Sequence, residues 1–136
     1  MAKRALHIQS PDEAEIVFYE AFTRGDVAVM SALWSEGDVV CVHPGSGVIS
    51  GHNAVVRSWR HILENSRGGD IQYTVMKKTQ TDDLAVHVVT EEVMVNAVTV
   101  AVVIATNTYQ RFAQSWLMVE HHASIVQQRR EGETLQ

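Results

Sequence analysis

The chain has 136 residues, a length typical of one domain that buries about two-thirds of its unfolded surface. Its hydrophobic fraction of 46% and charged fraction of 20% are those of a compact soluble protein and argue against disorder. The net charge is −5, and the basic doublets Lys77-Lys78 and Arg129-Arg130 form no stripe that could follow a phosphate backbone, so we expect no nucleic acid partner. We predict a single domain over residues 1–136, with its core at about 10–126 and a polar tail at 127–136.

Targeting and membrane segments are not evident. The first residues lead into no long apolar segment of the kind that a secretory signal needs, and the longest nearly apolar stretch, 97–105, is too short to cross a bilayer as a helix. The single cysteine, Cys41, excludes an internal disulfide and fits a reducing compartment. We therefore expect a cytoplasmic protein that does not bind membranes.

The first half of the chain has the apolar spacing and end signals of helices. The segment Ser10-Pro11-Asp12-Glu13 is a capping box that begins the first helix, and Gly25 ends it. Asp26 can cap a second helix that Gly37 ends, and a third begins near Gly51. A short strand, 38–42, lies between the second and third helices.

After Asp70 the apolar period changes to that of strands. Valine-rich and threonine-rich segments with period-two alternation predict strands at 71–76, 84–95, 98–112 and 116–125. Helices followed by consecutive strands favour an α+β fold, with three N-terminal helices packed on one face of a curved antiparallel sheet. The strand at 98–112 is apolar on both faces, so we expect a homodimer through the back of the sheet.

His43 is a candidate proton-transfer residue because it ends a buried strand beside the flexible turn 44–47. The alternative is a hydrogen-bonded structural histidine at a strand end. His121 and His122 are neighbours on a predicted strand, so only one can point inward. His122 shares its predicted face with Trp116, so we place His122 in the pocket and His121 on the other face. A slip of one residue would invert this assignment.

The order of elements resembles the nuclear transport factor 2-like superfamily, which includes ketosteroid isomerases and SnoaL-like polyketide cyclases. The resemblance spans about 12–124 and is carried by 19–26, Leu33-Trp34, 42–45, Gly51, 105–111 and 116–124. The closing segment, with His121-His122-Ala123-Ser124, is similar to the SnoaL-like branch, whose members keep a histidine near the position of His122. The resemblance implies a cone-shaped fold that encloses a largely apolar pocket, commonly in a dimer.

Compared residue by residue, this chain differs from the ketosteroid isomerases at the positions of their catalytic residues. Their oxyanion-binding tyrosine falls on Phe18, which cannot donate a hydrogen bond, and their aspartate base, which precedes a proline, falls on His43 before Pro44. Their second, protonated aspartate falls near Asn107, whose amide can donate to an oxyanion. Removal of a proton next to a carbonyl is therefore the chemistry that the resemblance leaves open.

Other side chains are candidates for the pocket wall, with an ordinary core position as the alternative. These ligand-binding candidates are Phe18, Trp34, Trp59, Tyr73 and Trp116. Glu91 and Glu92 point in opposite directions, so at most one lies inside, and we expect His52 and His87 at the surface or at helix ends. No histidine pair at helical spacing with a glutamate, no cysteine pair and no nucleotide-binding loop is present, so we expect neither a metal nor a cofactor.

Three functional classes fit these residues. The first is a cofactor-independent isomerase, cyclase or dehydratase of a hydrophobic carbonyl compound, with His43 as base, Asn107 as oxyanion donor and His122 as a second acid–base group. The second is a noncatalytic protein that binds a small apolar or aromatic molecule, and the third is a dimeric assembly module. A large cavity in which His43 and His122 converge would favour the first class, an apolar cavity the second, and a filled interior the third.

Overall fold

A computed structural model describes residues 6–65 and 69–128 of the chain. Helices and strands follow in the order α1 (Pro11–Arg24), α2 (Val27–Leu33), β1 (Val40–Val42), β2 (Ile49–Ser50), α3 (His52–Asn65), β3 (Gly69–Gln80), β4 (Leu84–Val95), β5 (Val98–Phe112) and β6 (Ser115–Gln128). The strands form one sheet in the order β2-β1-β6-β5-β4-β3, in which β1 pairs with β6 in parallel and the other pairs are antiparallel. Three helices packed on this mostly antiparallel sheet confirm the predicted α+β fold.

The ends of α1 follow the predicted local signals. Ser10 Oγ accepts a hydrogen bond from the Glu13 backbone N–H at 3.0 Å, and Glu13 Oε2 accepts one from Gln9 N at 2.9 Å. Gly25 ends the helix in the left-handed conformation, with φ of 66°, and Asp26 Oδ1 caps α2. These caps fix the direction of α1 across the sheet.

The end of α2 and the number of strands differ from the sequence prediction, and β3 and β6 extend to Gln80 and Gln128, beyond their predicted ends at 76 and 125. The second helix ends at Leu33 instead of reaching Gly37, because Trp34 turns into an extended conformation and bridges to Met118 of β6. The two-residue strand β2 was not predicted, since so short an edge strand has too few residues for an alternating pattern. The segment expected to close α3 lies partly outside the described residues, and the predicted tail beyond position 128 lies outside them entirely.

A β-bulge in β6 reverses which residues point inward. Met118 pairs with Tyr109 and Glu120 pairs with Thr108, so Val119 is an additional residue without a partner on β5. An extra residue in a strand inverts the alternation of side chains beyond it. The residues of β6 that point inward therefore cannot be predicted by counting alternate positions from the start of the strand.

The prediction that His122 faces the interior and His121 faces outward is wrong because of this bulge. Trp116 and Met118 point inward before the bulge, whereas His121 and Ala123 point inward after it. His121 is buried under the helices, and His122 is exposed on the outer face of the sheet.

The strand β5 is apolar on both faces, as predicted. Val103 and Ala105 are buried on the face that the helices cover. Val102 and Ile104 alternate with them on the outer face, where Ile104 remains 43% exposed. Among the described residues, none of the helices has the length and apolar character needed to cross a bilayer.

Candidate functional site

Four polar side chains lie in one row across the inner face of the sheet. His87 on β4 lies opposite Asn107 on β5, Asn107 lies opposite His121 on β6, and His121 lies opposite Cys41 on β1. All four residues are buried. Strand register thus brings together groups that are far apart along the chain.

Asn107 and His121 of this row are joined by hydrogen bonds to two further buried side chains, Tyr19 and Glu91. We call these four residues and the three hydrogen bonds between them the interior chain. The Tyr19 hydroxyl donates to Glu91 Oε2 at 2.6 Å, and Asn107 Nδ2 donates to the Tyr19 oxygen at 3.0 Å. The Asn107 amide oxygen lies 2.6 Å from His121 Nδ1. Because an amide oxygen can only accept, His121 Nδ1 carries the hydrogen, and every donor in the interior chain points toward Glu91.

Burial sets the protonation of the two ends of the interior chain. Burial lowers the pKa of His121 to about 3, with a smaller contribution from His43 and His122, so the imidazole is neutral and its Nε2 is the unprotonated nitrogen. Burial raises the pKa of Glu91 to about 7; the Tyr19 hydrogen bond opposes this increase and the Glu15 charge adds to it. A carboxyl that titrates near neutral pH can both accept and release a proton.

A second buried group of polar side chains, the Glu15 cluster, contains Glu15, His87 and Tyr109. The Tyr109 hydroxyl donates to Glu15 Oε2 at 3.1 Å, and His87 Nδ1 lies 3.1 Å from the same oxygen. That contact is close but poorly aligned, and neither His87 ring nitrogen has a hydrogen-bond partner among the described residues. The prediction that His87 lies at the surface or at a helix end is therefore wrong. His87 points inward because it lies on the same face of β4 as the buried Ala85 and Val89.

His43 lies beside the interior chain and not within it. Its Nε2 is 2.8 Å from Ser58 Oγ, and Ser58 donates its hydrogen to the Val55 carbonyl, so Nε2 is the protonated nitrogen of His43. Burial lowers the pKa of the half-buried His43 imidazole. The His43 ring packs edge-on against Trp59 at 4.7 Å and lies 6.5 Å from the His121 ring.

Aromatic side chains fill the space around the interior chain. Phe18 and Trp59 pack against the His121 ring at 5.2 and 5.4 Å, and Tyr73 stacks on Tyr19 at 4.0 Å. The structure thus brings Phe18, Trp59 and Tyr73 close to Asn107, as a shared pocket wall requires, but the space is occupied by side chains. Of the other ligand-binding candidates, Trp116 is a core residue, and Trp34 lines a separate groove beside the N-terminal segment.

A groove of about 360 Å³ between α1 and β3 approaches the interior chain from outside. Tyr19 and Tyr73 line it together with Ile16 and Ile71. Tyr73 is half-buried and lies directly opposite Glu91 in the register of β3 and β4. The stacked tyrosine rings therefore separate Glu91 from this groove.

Sequence reasoning missed Tyr19 and Glu15 and left the side of Glu91 open. Tyr19 follows Phe18, the position that the family resemblance pointed to, and Glu15 precedes Tyr19 by one helical turn. Glu91 continues the inward alternation of His87 and Val89. This alternation along β4 is the sequence signal that could have placed Glu91, and not Glu92, inside. Within residues 6–65 and 69–128, no three histidine, cysteine or carboxylate side chains are grouped as a metal site requires.

The raised pKa of Glu91 predicts a specific pH dependence of stability. Folded Glu91 has a pKa of about 7 against an ordinary value of 4.5, so its stabilising contribution is complete below about pH 4.5 and is lost as the pH rises through 7. The native chain should lose stability relative to Glu91→Gln as the pH rises. From pH 4 to pH 8, the difference in free energy of unfolding between the two chains should shift by about 3 kcal/mol in favour of Glu91→Gln. Urea unfolding of both chains at each pH measures this difference. Groups that titrate alike in the two chains cancel when their stabilities are subtracted.

Glu92→Gln is the matched control, because Glu92 is the exposed neighbour on the opposite face. Its stability difference from the native chain should change little with pH. An equal difference for Glu91→Gln at pH 4 and pH 8 would show that folding does not shift the pKa of Glu91.

Comparison with known proteins places this architecture in a family. A model of the SnoaL-like domain matches residues 16–128. A solved structure from Thiobacillus denitrificans, assigned as a calcium/calmodulin-dependent protein kinase type II association domain, is 31% identical with a TM-score of 0.84, and the match covers 90% of this chain and 99% of that one. A structure from Streptomyces avermitilis, assigned as a dehydratase of the NTF2-like family, is 35% identical with a TM-score of 0.72, over 84% and 91% of the two chains.

A longer curated protein also contains a similar segment. The F-box protein SKIP8 of Arabidopsis thaliana is 31% identical over 98 residues, which are 71% of this chain and 41% of that protein. The chain therefore spans about two fifths of the length of that relative. The family model and the two solved structures, in contrast, cover most of the chain and confirm the predicted cone-shaped fold. The chain belongs to the SnoaL-like branch of the nuclear transport factor 2-like superfamily.

Proposed function

We propose that this SnoaL-like protein is a cofactor-independent isomerase or dehydratase of small hydrophobic carbonyl compounds, with Glu91 as its general base. The observation that carries the proposal is the buried Glu91 carboxyl, whose pKa is raised to about 7 and which receives the Tyr19 hydroxyl at 2.6 Å. Carboxyl groups with pKa values near the working pH are suited to general acid–base catalysis and cluster at functional sites. The assignment of the similar Streptomyces avermitilis protein as a dehydratase supports the same class of reaction.

The proposed chemistry begins with proton removal. The Glu91 carboxylate takes a proton from the carbon next to the substrate carbonyl, and the electron pair of the broken C–H bond moves onto the carbonyl oxygen. The second Nδ2–H of Asn107 can donate to this oxygen as it becomes negative, and Tyr19 can do so by turning its single hydroxyl hydrogen from Glu91 once Glu91 is protonated. The protonated Glu91 then returns its proton, either to another carbon, which completes an isomerisation, or to a departing β-hydroxyl, which completes a dehydration.

Access to Glu91 requires movement, because the interior is filled. In the structure, Glu91 is 5% exposed and the Tyr73 ring covers Tyr19. Tyr73 lies on β3, an edge strand whose only neighbour in the described sheet is β4, so we propose that its ring moves aside to admit substrate from the α1–β3 groove. Phe18 and Trp59 would then contact the apolar part of the substrate beside His121.

This proposal differs from the sequence-based assignment of roles. Asn107 keeps its predicted role as an oxyanion donor. His122 lies on the outer face and takes no part, and Glu91 replaces His43 as the base, because Glu91 lies within the interior chain beside the Tyr19 hydroxyl, whereas His43 lies outside this chain. His43 and His122 do not converge and the interior is filled, so the condition set for the first functional class is not met. A filled interior was the condition set for the third class, the assembly module, and the proposal of catalysis rests instead on Glu91 and Tyr19.

Deuterium exchange tests the proposed reaction on a panel of model ketones. The protein is incubated in D₂O with hydrophobic ketones, including β,γ-unsaturated and β-hydroxy ketones, and loss of the proton next to the carbonyl is followed by NMR. We expect exchange above the buffer rate for at least one ketone, increasing with pH around a midpoint near 7, as the pKa of Glu91 requires. Glu91→Gln should slow this exchange roughly a hundredfold or more.

The exposed Glu92 again provides the control, since Glu92→Gln should exchange at the native rate. Tyr19→Phe should lower the rate roughly tenfold or more, because it removes the hydroxyl donor. Exchange no faster than buffer across the panel, or an undiminished rate in Glu91→Gln, would contradict the proposal.

We also propose that the outer face of the sheet joins two copies of the chain. Half-buried Val86, Val88 and Val102 lie on the same face as Ile104, which is 43% exposed and pairs with Thr90 and Ser124 on the neighbouring strands. Burial of such a surface against a second copy would remove apolar area from water. The assignment of the similar Thiobacillus denitrificans protein as an association domain supports a role in assembly, which is compatible with catalysis inside the cone.

Sedimentation velocity tests the dimer. The native chain should sediment as a dimer, and Ile104→Lys should weaken association roughly a hundredfold, because each interface would bury an unpaired charge. Val48→Lys is the control, since Val48 lies in a loop and is 70% exposed. A monomeric native chain, or a dimer unaffected by Ile104→Lys, would contradict this interface.

A further inference from the structure

A positively charged groove lies between α2 and α3, outside the proposed active site. Its volume is about 500 Å³. Ser31 of α2 lines one side, and α3 supplies the other side with His52, Asn53, Val56, Arg57 and Arg60. The residues from α3 recur at intervals of three and four, so they share one face of the helix. The described lining contains no carboxylate.

Hydrogen bonds hold α3 in place at this groove. His52 Nδ1 donates to the Ser35 carbonyl at 3.0 Å, which joins the first residue of α3 to the segment that follows α2. Gly51 N donates to the Val39 carbonyl at 3.0 Å, immediately before α3 begins. The fold therefore fixes the start of α3 relative to the end of α2.

Arg57 and Arg60 concentrate uncompensated positive charge in the groove. They are three residues apart on α3, where side chains of like charge are neighbours and repel each other. Both are exposed, and within the described part of the chain neither guanidinium forms an ion pair or a hydrogen bond. Glu36 and Arg57 both line an adjoining groove, but they form no ion pair with each other. An anion held between the two arginines would relieve their repulsion.

The start of α3 adds to the attraction for an anion. His52 and Asn53, the first two residues of the helix, line the groove, and the first turn carries no acidic side chain. The backbone N–H groups of a first turn and the helix dipole favour negative charge at this end. The Asn53 amide can donate a further, neutral hydrogen bond.

Two guanidinium groups on one helix face favour an anion with two charges. A phosphate monoester carries a charge of about −1.5 to −2 at pH 7, and its oxygens accept the paired N–H groups of arginine. A single carboxylate has only one charge to share between Arg57 and Arg60. The net charge of the chain is −5, which opposes approach to an anionic membrane surface and favours a soluble ligand.

We propose that this groove, the Arg57–Arg60 groove, binds the phosphate group of a small, water-soluble phosphate monoester. Both arginines donate to the phosphate oxygens together with Asn53, and half-buried Val56 contacts the organic part of the ligand. The site contains no member of the interior chain and does not depend on catalysis there.

An NMR titration with two matched probes tests the proposal. Phenyl phosphate is a monoester with two charges at about pH 8, and methyl phenyl phosphate is a diester with the same ring and one charge. ¹⁵N–¹H spectra of the full chain follow the Nε–H signals of Arg57 and Arg60, which variants at these positions assign. The monoester should shift both signals and bind roughly tenfold more tightly than the diester.

Arginine variants with a matched control locate the site. Arg57→Gln and Arg60→Gln should each weaken binding of phenyl phosphate roughly tenfold, since each removes a charged donor. Arg24→Gln removes the same charge from an exposed position on α1, outside the groove, and should change binding less than about twofold.

Several results would overturn the proposal. One is a monoester that moves neither arginine signal, and another is equal binding of monoester and diester. Equal weakening by Arg24→Gln and Arg57→Gln would show only a diffuse attraction to the charge of the chain. Vesicles that contain phosphatidic acid present the same monoester at a membrane surface. If the chain bound these vesicles through Arg57 and Arg60 but did not bind phenyl phosphate, the ligand would be a lipid headgroup and not a soluble ester.

Discussion

Burial of the Glu91 carboxyl against the Tyr19 hydroxyl is the constraint on which the rest of the interior depends. A carboxyl so enclosed is costly unless it holds a proton or faces donors, and Tyr19 provides a donor at 2.6 Å. Asn107 and His121 extend the arrangement, since each uses a polar atom that would otherwise be buried without a partner. Replacing any one member by an apolar side chain leaves its neighbour unsatisfied, so the interior chain behaves as a unit.

The fold assembles this unit from elements that are distant in sequence. The caps of α1 fix the helix that carries Tyr19, and antiparallel pairing places Glu91, Asn107 and His121 on one face of three adjacent strands. Phe18 and Trp59 pack against the His121 end of this unit, and burial of its other end raises the pKa of Glu91. The outer face of the sheet lies opposite the interior chain, so the assembly proposed there would not compete with proton transfer in the interior.

The elements that the sequence predicts well are those that depend on neighbouring residues. The capping box at Ser10 and the left-handed Gly25 place both ends of α1, and valine-rich alternation places β4 and β5. The positions of His121 and His122 were inverted because the bulge at Val119 arises from the register with β5, which no local pattern reveals. The interior chain is a similar case. Tyr19 and Glu91 are 72 residues apart, and only the packed sheet shows that they meet.

The central claim is that Glu91 holds a proton near neutral pH inside the folded protein. The most direct measurement is a carbon-13 NMR titration of the glutamate side-chain carboxyl groups, with the Glu91 signal assigned through Glu91→Gln. The structure predicts a midpoint at about pH 7 for this signal. A midpoint near the ordinary value of 4.5 would show that Glu91 is an ionised carboxylate at neutral pH, and would contradict both the energetics of the interior chain and the proposed general base.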